Sequence, residues 1–160
     1  MIHFSFTLPD PDSPWRETWD RAEHANPADI SEMDLRYKYF GVRARLTVDD
    51  VEVISDRGFV TLVDLALSIA WAGKQIAAGH DSAFNFTEAA EVIRLHADGQ
   101  RIEMSSSVKP WTVTVARDQL LGEFTKLRQE AHACLITQVP GLAEHPVIRR
   151  IPPEQGMPEQ

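Results

Sequence analysis

The sequence predicts an α+β fold with a single, mainly antiparallel sheet of about six to seven strands and two long helices packed on one face of it. Several short segments alternate apolar and polar residues, which is the two-residue period of strands with one covered face. Two longer segments repeat apolar residues at three- and four-residue spacing, as amphipathic helices do. Tight-turn signals join neighbouring strands, and strands joined in that way pair antiparallel. The 160 residues, 43% apolar and 25% charged, are typical of one ordinary globular domain.

A strand and a short helix open the chain. Apolar residues alternate with polar ones over residues 2–8, which predicts a strand. A serine precedes Pro14, and this pair is a typical helix entry, so residues 14–25 are predicted to form a short helix. Trp15 and Trp19 would then share one face of that helix.

The central strand has the clearest pattern in the sequence. Its predicted span is residues 40–48, with one apolar face made of Phe40, Val42, Ala44, Leu46 and Val48. Two aspartates make a turn, and residues 51–54 are predicted to return as a hairpin partner. A helix with a wide apolar stripe follows from Phe59, and Gly79 ends it as a C-cap would.

Five further elements complete the prediction. They are a short strand at Phe84 and Phe86, strands over residues 92–97, 100–106 and 111–115, and a helix with the stripe Leu120, Phe124, Leu127, Ala131 and Leu135. Asp98 and Gly99 lie between the second and third of these strands, and an Asp-Gly pair is the strongest short hairpin signal. Pro140 ends the closing helix.

Prolines divide the chain into a domain and a tail. Residues 28–109 contain no proline and can carry sheet and helix, whereas half of the ten prolines fall in the last twenty-one residues. We therefore expect one α+β domain over residues 1–139 and a flexible, proline-rich C-terminal tail over residues 140–160. An acidic segment with several prolines, residues 9–34, would be inserted after the first strand.

Charge and hydropathy exclude several classes of partner. The net charge of −8 repels nucleic acid and anionic lipid at long range. The longest apolar stretches are far short of the ~20 residues that a membrane span needs. The start of the chain has no basic, apolar pattern of a signal peptide, and Cys134 is the sole cysteine, which suits a reducing compartment. We therefore expect a cytoplasmic protein that binds neither nucleic acid nor membrane.

No motif of catalysis or ligand binding is present in the sequence. It lacks the glycine-rich phosphate loops, the zinc-protease motif and the nucleophile elbow, and no two of the six histidines stand at metal-binding helical spacing. Cys134 lies on an apolar helical stripe, where we expect a small buried hydrophobe rather than a nucleophile. The expectation is a protein with no catalytic residues, no cofactor and no metal.

Charged residues inside the predicted elements have structural interpretations. Asp64 lies between two apolar residues of the first long helix, and we expect it at an edge position that faces solvent or a strand arginine. Arg43 and Arg45 lie on the polar side of the central strand, where they could pair with acids such as Glu52 or form an anion patch on the open sheet face. We expect solvated strand charges.

The segment over residues 9–34 carries most of the net negative charge of the chain. It holds eight acidic side chains and two arginines, a net charge of −6, together with two tryptophans. Tryptophan is enriched where binding energy concentrates at interfaces. We therefore predict that a basic protein docks here, and the predicted partner-binding residues are Asp10, Asp12, Trp15, Glu17, Trp19, Asp20 and Glu23. The structural alternative is that both indoles pack the short helix against the core, while the acidic side chains on its outer side are solvated.

Element order adds a family resemblance. The stretches F-G-V-R-A-R-L-T-V-D-D-V-E-V-I (40–54), F-V-T-L-V-D-L-A-L-S-I-A, F-N-F-T-E (84–88) and I-R-L-H-A-D-G-Q-R-I-E-M (93–104) resemble immunity-type and uncharacterised α+β domains that accompany bacterial toxin genes. The resemblance covers about residues 36–138. It implies a cytosolic inhibitor that binds and blocks a cognate toxin, and it carries over no functional residue.

Three functional hypotheses remain open at this point. The leading one is a non-enzymatic, immunity-like protein that docks a basic partner, possibly a cognate toxin, through its acidic surface. The alternative is a small-molecule-binding protein or an enzyme with a pocket between sheet and helices, assembled from residues such as Arg94, His96, Glu103 and Cys134. The third is self-association, as a homodimer, through the open sheet face or an edge strand.

Overall fold

Two antiparallel sheets share one pair of long helices. The computed structural model describes residues 1–85 and 91–153, and within those ranges eight strands form two four-stranded sheets. The first sheet contains β1 (Ile2–Thr7), β2 (Gly41–Val48), β3 (Val51–Ile54) and β4 (Val60–Thr61). The second contains β5 (Ser82–Asn85), β6 (Val92–Asp98), β7 (Arg101–Ser106) and β8 (Thr112–Ala116). The α-helices are α1 (Glu17–His24), α2 (Glu32–Tyr37), α3 (Leu62–Ala77) and α4 (Arg117–Gln138).

β2 is the central strand of the first sheet. β1 pairs with it in antiparallel register, from Ile2 opposite Val48 to Thr7 opposite Arg43. β3 returns beside β2 after a two-residue loop in which Asp49 has a φ of 53°, and β4 pairs with the start of β2. The predicted alternation is confirmed, since the residues of the inner face are all buried: Phe40, Val42, Ala44, Leu46 and Val48.

The second sheet is a meander of four strands in chain order. Its central hairpin pairs Asp98 with Arg101, so the two loop residues are Gly99 and Gln100. Gly99 has a φ of 63°, and glycine is favoured at the first position of such a two-residue loop. The predicted hairpin is confirmed with its loop one residue later than expected. The predicted short strand is present at Ser82–Asn85, while Phe86 lies outside the described residues.

The prediction of one continuous sheet is wrong. After β4 the chain enters α3, and β5 then pairs with β6 rather than with an edge of the first sheet. The two sheets meet through Phe124 of α4. The centre of its ring lies 6.1 Å from that of Phe4 in β1 and 5.7 Å from that of Phe84 in β5, and both pairs pack edge to face. Turn signals identify strands that are neighbours along the chain, but a pairing between distant strands leaves no local signal.

The two predicted long helices are confirmed as α3 and α4, which pack against each other. α3 begins at Leu62 rather than Phe59, because the two preceding residues form β4. Gly73 of α3 faces α4, and a Cβ at this position would lie 3.4 Å from Cδ2 of Phe124, an ordinary van der Waals distance. The expected C-cap is confirmed, since Gly79 follows the helix with a φ of 83°.

The segment after α4 differs from the predicted loose tail. It forms two 3-10 turns, Pro140–Glu144 and Ile148–Arg150, and its apolar residues Leu142, Ile148 and Ile151 are fully buried. Proline ended the α-helix as expected, but the following apolar side chains complete the core against the N-terminal segment. The ordered domain therefore extends beyond residue 139 to Ile151, and the predicted tail residues 154–160 lie outside the described part of the chain.

Candidate functional site

Four short helical elements begin within the acidic segment, residues 9–34. The hydroxyl of Ser13 accepts a hydrogen bond from the backbone of Trp15 at 3.2 Å and caps the turn that leads into α1. Asn26 caps the next turn, and Ser31 caps α2 through a 3.1 Å bond from the backbone of Asp34. Each cap satisfies a backbone N–H that the helix itself leaves free. The predicted helix over residues 14–25 is therefore present, whereas α2 was not predicted.

Trp19 is a core residue. Its side chain is 1% exposed, and its ring packs edge to face on Phe40 at 4.9 Å. The indole N–H donates a 2.8 Å hydrogen bond to the backbone carbonyl of Gly41 in β2. A buried indole with its one donor satisfied offers no contact area to a partner. The assignment of Trp19 to the docking surface is corrected on this ground, and the structural alternative holds for this residue.

Trp15 lies at the border between the core and the surface. It is half-buried and stacks on Phe59 with ring centres 4.8 Å apart and an angle of 14°. It also covers the start of β2, since a Cβ at Gly41 would lie 2.5 Å from Cε3 of its ring. Arg43 extends the same cluster, with its guanidinium 4.5 Å from the centre of the Phe59 ring. Trp15 therefore anchors the segment to β2 and keeps part of its ring at the surface.

The carboxylates of the predicted docking residues all point to solvent. Asp10, Asp12, Glu17, Asp20 and Glu23 are exposed. Glu17 pairs with Arg21 one helical turn away at 2.5 Å. Among residues 1–85 and 91–153, no basic side chain lies within ion-pair distance of the other four. We call the surface formed by Asp10, Asp12, Trp15, Glu17, Asp20 and Glu23 the acidic surface.

Only one of the three remaining acids of the segment is paired with basic side chains among the described residues. Glu32 pairs with Arg36 at 3.7 Å and with Arg150 at 3.2 Å. Asp29 accepts a 3.0 Å hydrogen bond from the neutral amide of Asn26, and Asp34 has no basic side chain within ion-pair distance in the described part of the chain. Four of the six carboxylates of the segment without a basic partner therefore belong to the acidic surface.

Asp64 forms a buried ion pair, so the prediction that it faces solvent or a strand arginine from an edge position is wrong. It is 3% exposed, and one of its oxygens accepts bonds of 3.1 and 2.7 Å from Nε and NH2 of Arg36. The partner arginine belongs to α2 and not to a strand. Partial burial acts to lower the pKa of Arg36, but the hydrogen bond and the charge of Asp64 outweigh it and raise that pKa above its usual value. The pair joins α2 to α3.

The strand charges of the first sheet agree with their interpretation. Arg45 of β2 lies 3.3 Å from Glu52 of β3, and both are partly exposed. The guanidinium of Arg43 donates a 2.9 Å hydrogen bond to the backbone of Asp56. These contacts stabilise the outer face of the sheet and give no sign of an anion site.

The residues considered for an enzyme do not form one site. Arg94, His96 and Glu103 lie exposed on the outer face of the second sheet, with His96 directly opposite Glu103. His96 contacts Asp81 instead, with Nδ1 3.1 Å from a carboxylate oxygen. Cys134 is half-buried on α4, where burial raises the pKa of its thiol and the nearby charge of Arg16 opposes that shift. A raised thiol pKa opposes nucleophilic chemistry.

An open cavity lies between α3 and α4, whereas the predicted pocket lay between a sheet and the helices. Its volume is about 600 Å³, and the exposed ring of Trp71 stands at its edge. An exposed Trp71 was not predicted from the sequence. The available signal was its position outside the apolar stripe of α3, where side chains face solvent. Within residues 1–85 and 91–153, no group of three or more His, Cys, Asp or Glu side chains could hold a metal ion.

Comparisons with known proteins identify no relative. No family model matches the chain, and neither a curated protein nor a solved structure matches it significantly. In the described part of the chain, none of the helices has the length and apolar character that a bilayer crossing requires.

Proposed function

We propose that this protein is a non-enzymatic, cytoplasmic binding domain whose acidic surface docks a basic protein. One observation carries the proposal. The carboxylates of Asp10, Asp12, Asp20 and Glu23 are exposed, and none of them has a basic partner within the described residues. Uncompensated charge of one sign attracts an oppositely charged protein over several ångströms and accelerates the encounter.

The ordered base of the acidic surface favours a docking role. Trp15 is fixed by stacking on Phe59, and the serine cap holds the turn before α1. A partner would therefore meet carboxylates whose backbone is already placed, which lowers the entropy lost on binding. The exposed part of the Trp15 ring would supply apolar contact area beside the charges.

The resemblance to immunity-type domains supports a class of partner. Such domains bind a cognate toxin and block it, so the partner we propose is a basic toxin whose cationic surface covers the acidic surface. The resemblance rests on the order of elements over about residues 36–138, and it is independent of the acidic residues. The resemblance and the exposed carboxylates therefore support the same proposal independently.

Calorimetry with the purified product of the neighbouring gene tests this proposal. We expect stoichiometric binding that weakens as ionic strength rises, because salt screens exposed charges. Asp20→Lys should weaken binding about tenfold, since it reverses the charge of an exposed carboxylate of the acidic surface. Glu130→Lys is the matched control, because Glu130 is exposed on α4 and the net charge changes equally.

Two results would contradict the proposal. One is a neighbouring gene product that does not bind. The other is binding that is indifferent both to salt and to Asp20→Lys, or that Glu130→Lys weakens to the same extent.

A further inference from the structure

A second site lies on the helices, remote in sequence from the acidic surface. We call the cavity of about 600 Å³ between α3 and α4 the helical groove. Residues one helical turn apart form its α3 side, with Leu67 and Ala70 followed by Trp71 and Lys74. Leu121, Thr125 and Arg128 repeat at helical spacing on the α4 side. The groove is therefore a product of two aligned helix faces.

The floor of the helical groove is apolar. Gly73 lies there, and the buried ring of Phe124 packs against Phe4 of the first sheet and Phe84 of the second. A lining that combines an apolar floor with a small number of polar and charged side chains is typical of small-molecule sites. Leu67 and Lys74 are seven positions apart on α3, so the groove is about 10 Å long, the size of one or two fused rings.

Trp71 provides a stacking surface at the edge of the helical groove. This residue is 61% exposed, more than any other aromatic residue in the described helices. A second cavity of about 390 Å³ lies beside the groove, and both cavities are lined by Leu67, Trp71 and Arg150. The indole of Trp71 therefore lies between the two cavities, and a planar ring bound in the groove could stack on it.

The charged residues of the helical groove are all cationic. Lys74, Arg128 and Arg150 line it, and no described residue of the lining is acidic, although the chain carries 24 acids. Nε of Arg128 donates a 2.9 Å bond to the carbonyl of Ile151, which fixes the guanidinium at the wall. Arg150 pairs with Glu32 on its outer side, whereas Lys74 has no acidic side chain within ion-pair distance among the described residues.

We infer that the helical groove binds a small aromatic anion, with its ring against Trp71 and its charge beside Lys74. The apolar floor accounts for the ring, and the exposed ammonium group of Lys74 accounts for the charge. This site is separate from the acidic surface, and its test does not depend on the proposed protein partner.

Fluorescent probes with one ring system and different charge test the inference on the full chain. The anion is 8-anilinonaphthalene-1-sulfonate, and the neutral analogue is N-phenyl-1-naphthylamine, which lacks the sulfonate. We expect one site for the anion, an affinity that falls with added salt, and weaker binding of the neutral analogue. Trp71→Ala should weaken binding of both probes about tenfold, because both lose the stacking surface.

Charge variants separate a site for anions from a merely apolar surface. Lys74→Glu should weaken the anion about fivefold and change binding of the neutral analogue less than about twofold. Lys38→Glu is the matched control, since Lys38 is exposed at the end of α2, lies outside the groove and, like Lys74, forms no ion pair among the described residues, and the net charge changes equally. Near-ultraviolet circular dichroism of each variant must match the parent, because the anion also binds loosened folds.

Three outcomes would overturn the inference. The first is binding of the anion that neither Trp71→Ala nor Lys74→Glu weakens. The second is equal affinity for both probes with no dependence on salt, which would describe an apolar surface without selectivity for charge. The third is binding that appears only in a chain ending at Pro153, which would make residues 154–160 the natural occupant of the groove.

Discussion

The acidic surface and the helical groove are arranged in opposite ways. On α1 the indole of Trp19 is buried beside Ala22, and the carboxylates of the same helix face solvent. On α3 the indole of Trp71 faces solvent, and a cation, Lys74, lies one turn away. The comparison teaches that position on a helix, and not residue type, decides whether a tryptophan is available to a ligand.

The largest expected effect comes from removing the buried indole. Trp19→Ala should lower the free energy of unfolding by about 3–5 kcal/mol, because it opens a core cavity and leaves the carbonyl of Gly41 without its donor. Trp71→Ala should change it by less than about 0.5 kcal/mol, since that ring is exposed. Urea denaturation of both variants measures the difference. Equal destabilisation would break the comparison.

The next effect contrasts a buried carboxylate with an exposed one. Asp64→Ala should cost about 2–3 kcal/mol of unfolding free energy, because the partly buried charge of Arg36 then keeps only the more distant Glu32 as its partner. Asp20→Ala removes an exposed carboxylate of the acidic surface and should leave stability within about 0.5 kcal/mol. Both values come from the same denaturation experiment, and a stable Asp64→Ala variant would contradict the structural role of the ion pair.

A smaller loss of stability should identify the anchor of the acidic surface. Gly41→Ala places a Cβ 2.5 Å from the Trp15 ring, and we expect a loss of about 1–2 kcal/mol as the indole shifts. Gly58→Ala is the control, since a Cβ there meets no atom within 4 Å. If the two variants are equally stable, Trp15 is not held against β2 as described.

The smallest effect concerns the exposed pair on the second sheet. The hydrogen bond and charge of Asp81 raise the pKa of His96, while a backbone bond from Ala97 and the contact with His96 lower the pKa of Asp81. The stabilisation from His96 is complete below its ordinary pKa and is lost as pH rises through the raised value. The stabilisation from Asp81 is complete above its ordinary pKa and is lost as pH falls through the lowered value. The pair is therefore favourable between about pH 4 and pH 6.5.

An NMR titration of His96 measures this pair directly. Asp81→Asn should lower the pKa of His96 because it removes the largest favourable contact. Glu103→Gln should lower it less, since Glu103 lies on the neighbouring strand and acts through its charge alone. The opposite ranking of the two variants would show that Glu103 and not Asp81 is the main partner.

Local patterns predicted the elements well. The alternation along β2 and the apolar stripe of α4 each depend on neighbours a few residues apart, and both are confirmed by burial. The hairpin between β6 and β7 was predicted from an Asp-Gly pair, because that turn requires a glycine with positive φ. In each case the physical cause lies within a short stretch of chain.

Pairings between distant residues could not be predicted in the same way. The division into two sheets depends on Phe124 of α4 filling the space between Phe4 and Phe84. The ordered C-terminal segment depends on Leu142 and Ile151 finding the core, although nearby prolines indicated a loose tail. Neither outcome leaves a signal in local composition.

The candidate site was predicted in part for the same reason. The charge of the acidic surface is a property of composition, so the exposed carboxylates could be located from sequence. The exposure of its tryptophans depends on which helix face meets β2, and Trp19 was therefore assigned incorrectly. The helical groove joins residues of α3 and α4 that lie about fifty positions apart, and no sequence motif connects them.

The contact between His145 and Ile30 has a consequence for synthesis of the chain. The Nε2 atom of the buried imidazole lies 2.8 Å from the backbone carbonyl of Ile30, 115 positions earlier, and Gly141 packs on Pro27. The segment that carries the acidic surface therefore cannot reach its final packing until residues near Ile151 have left the ribosome. A nascent chain shorter than this would expose apolar side chains of the segment to chaperones and proteases.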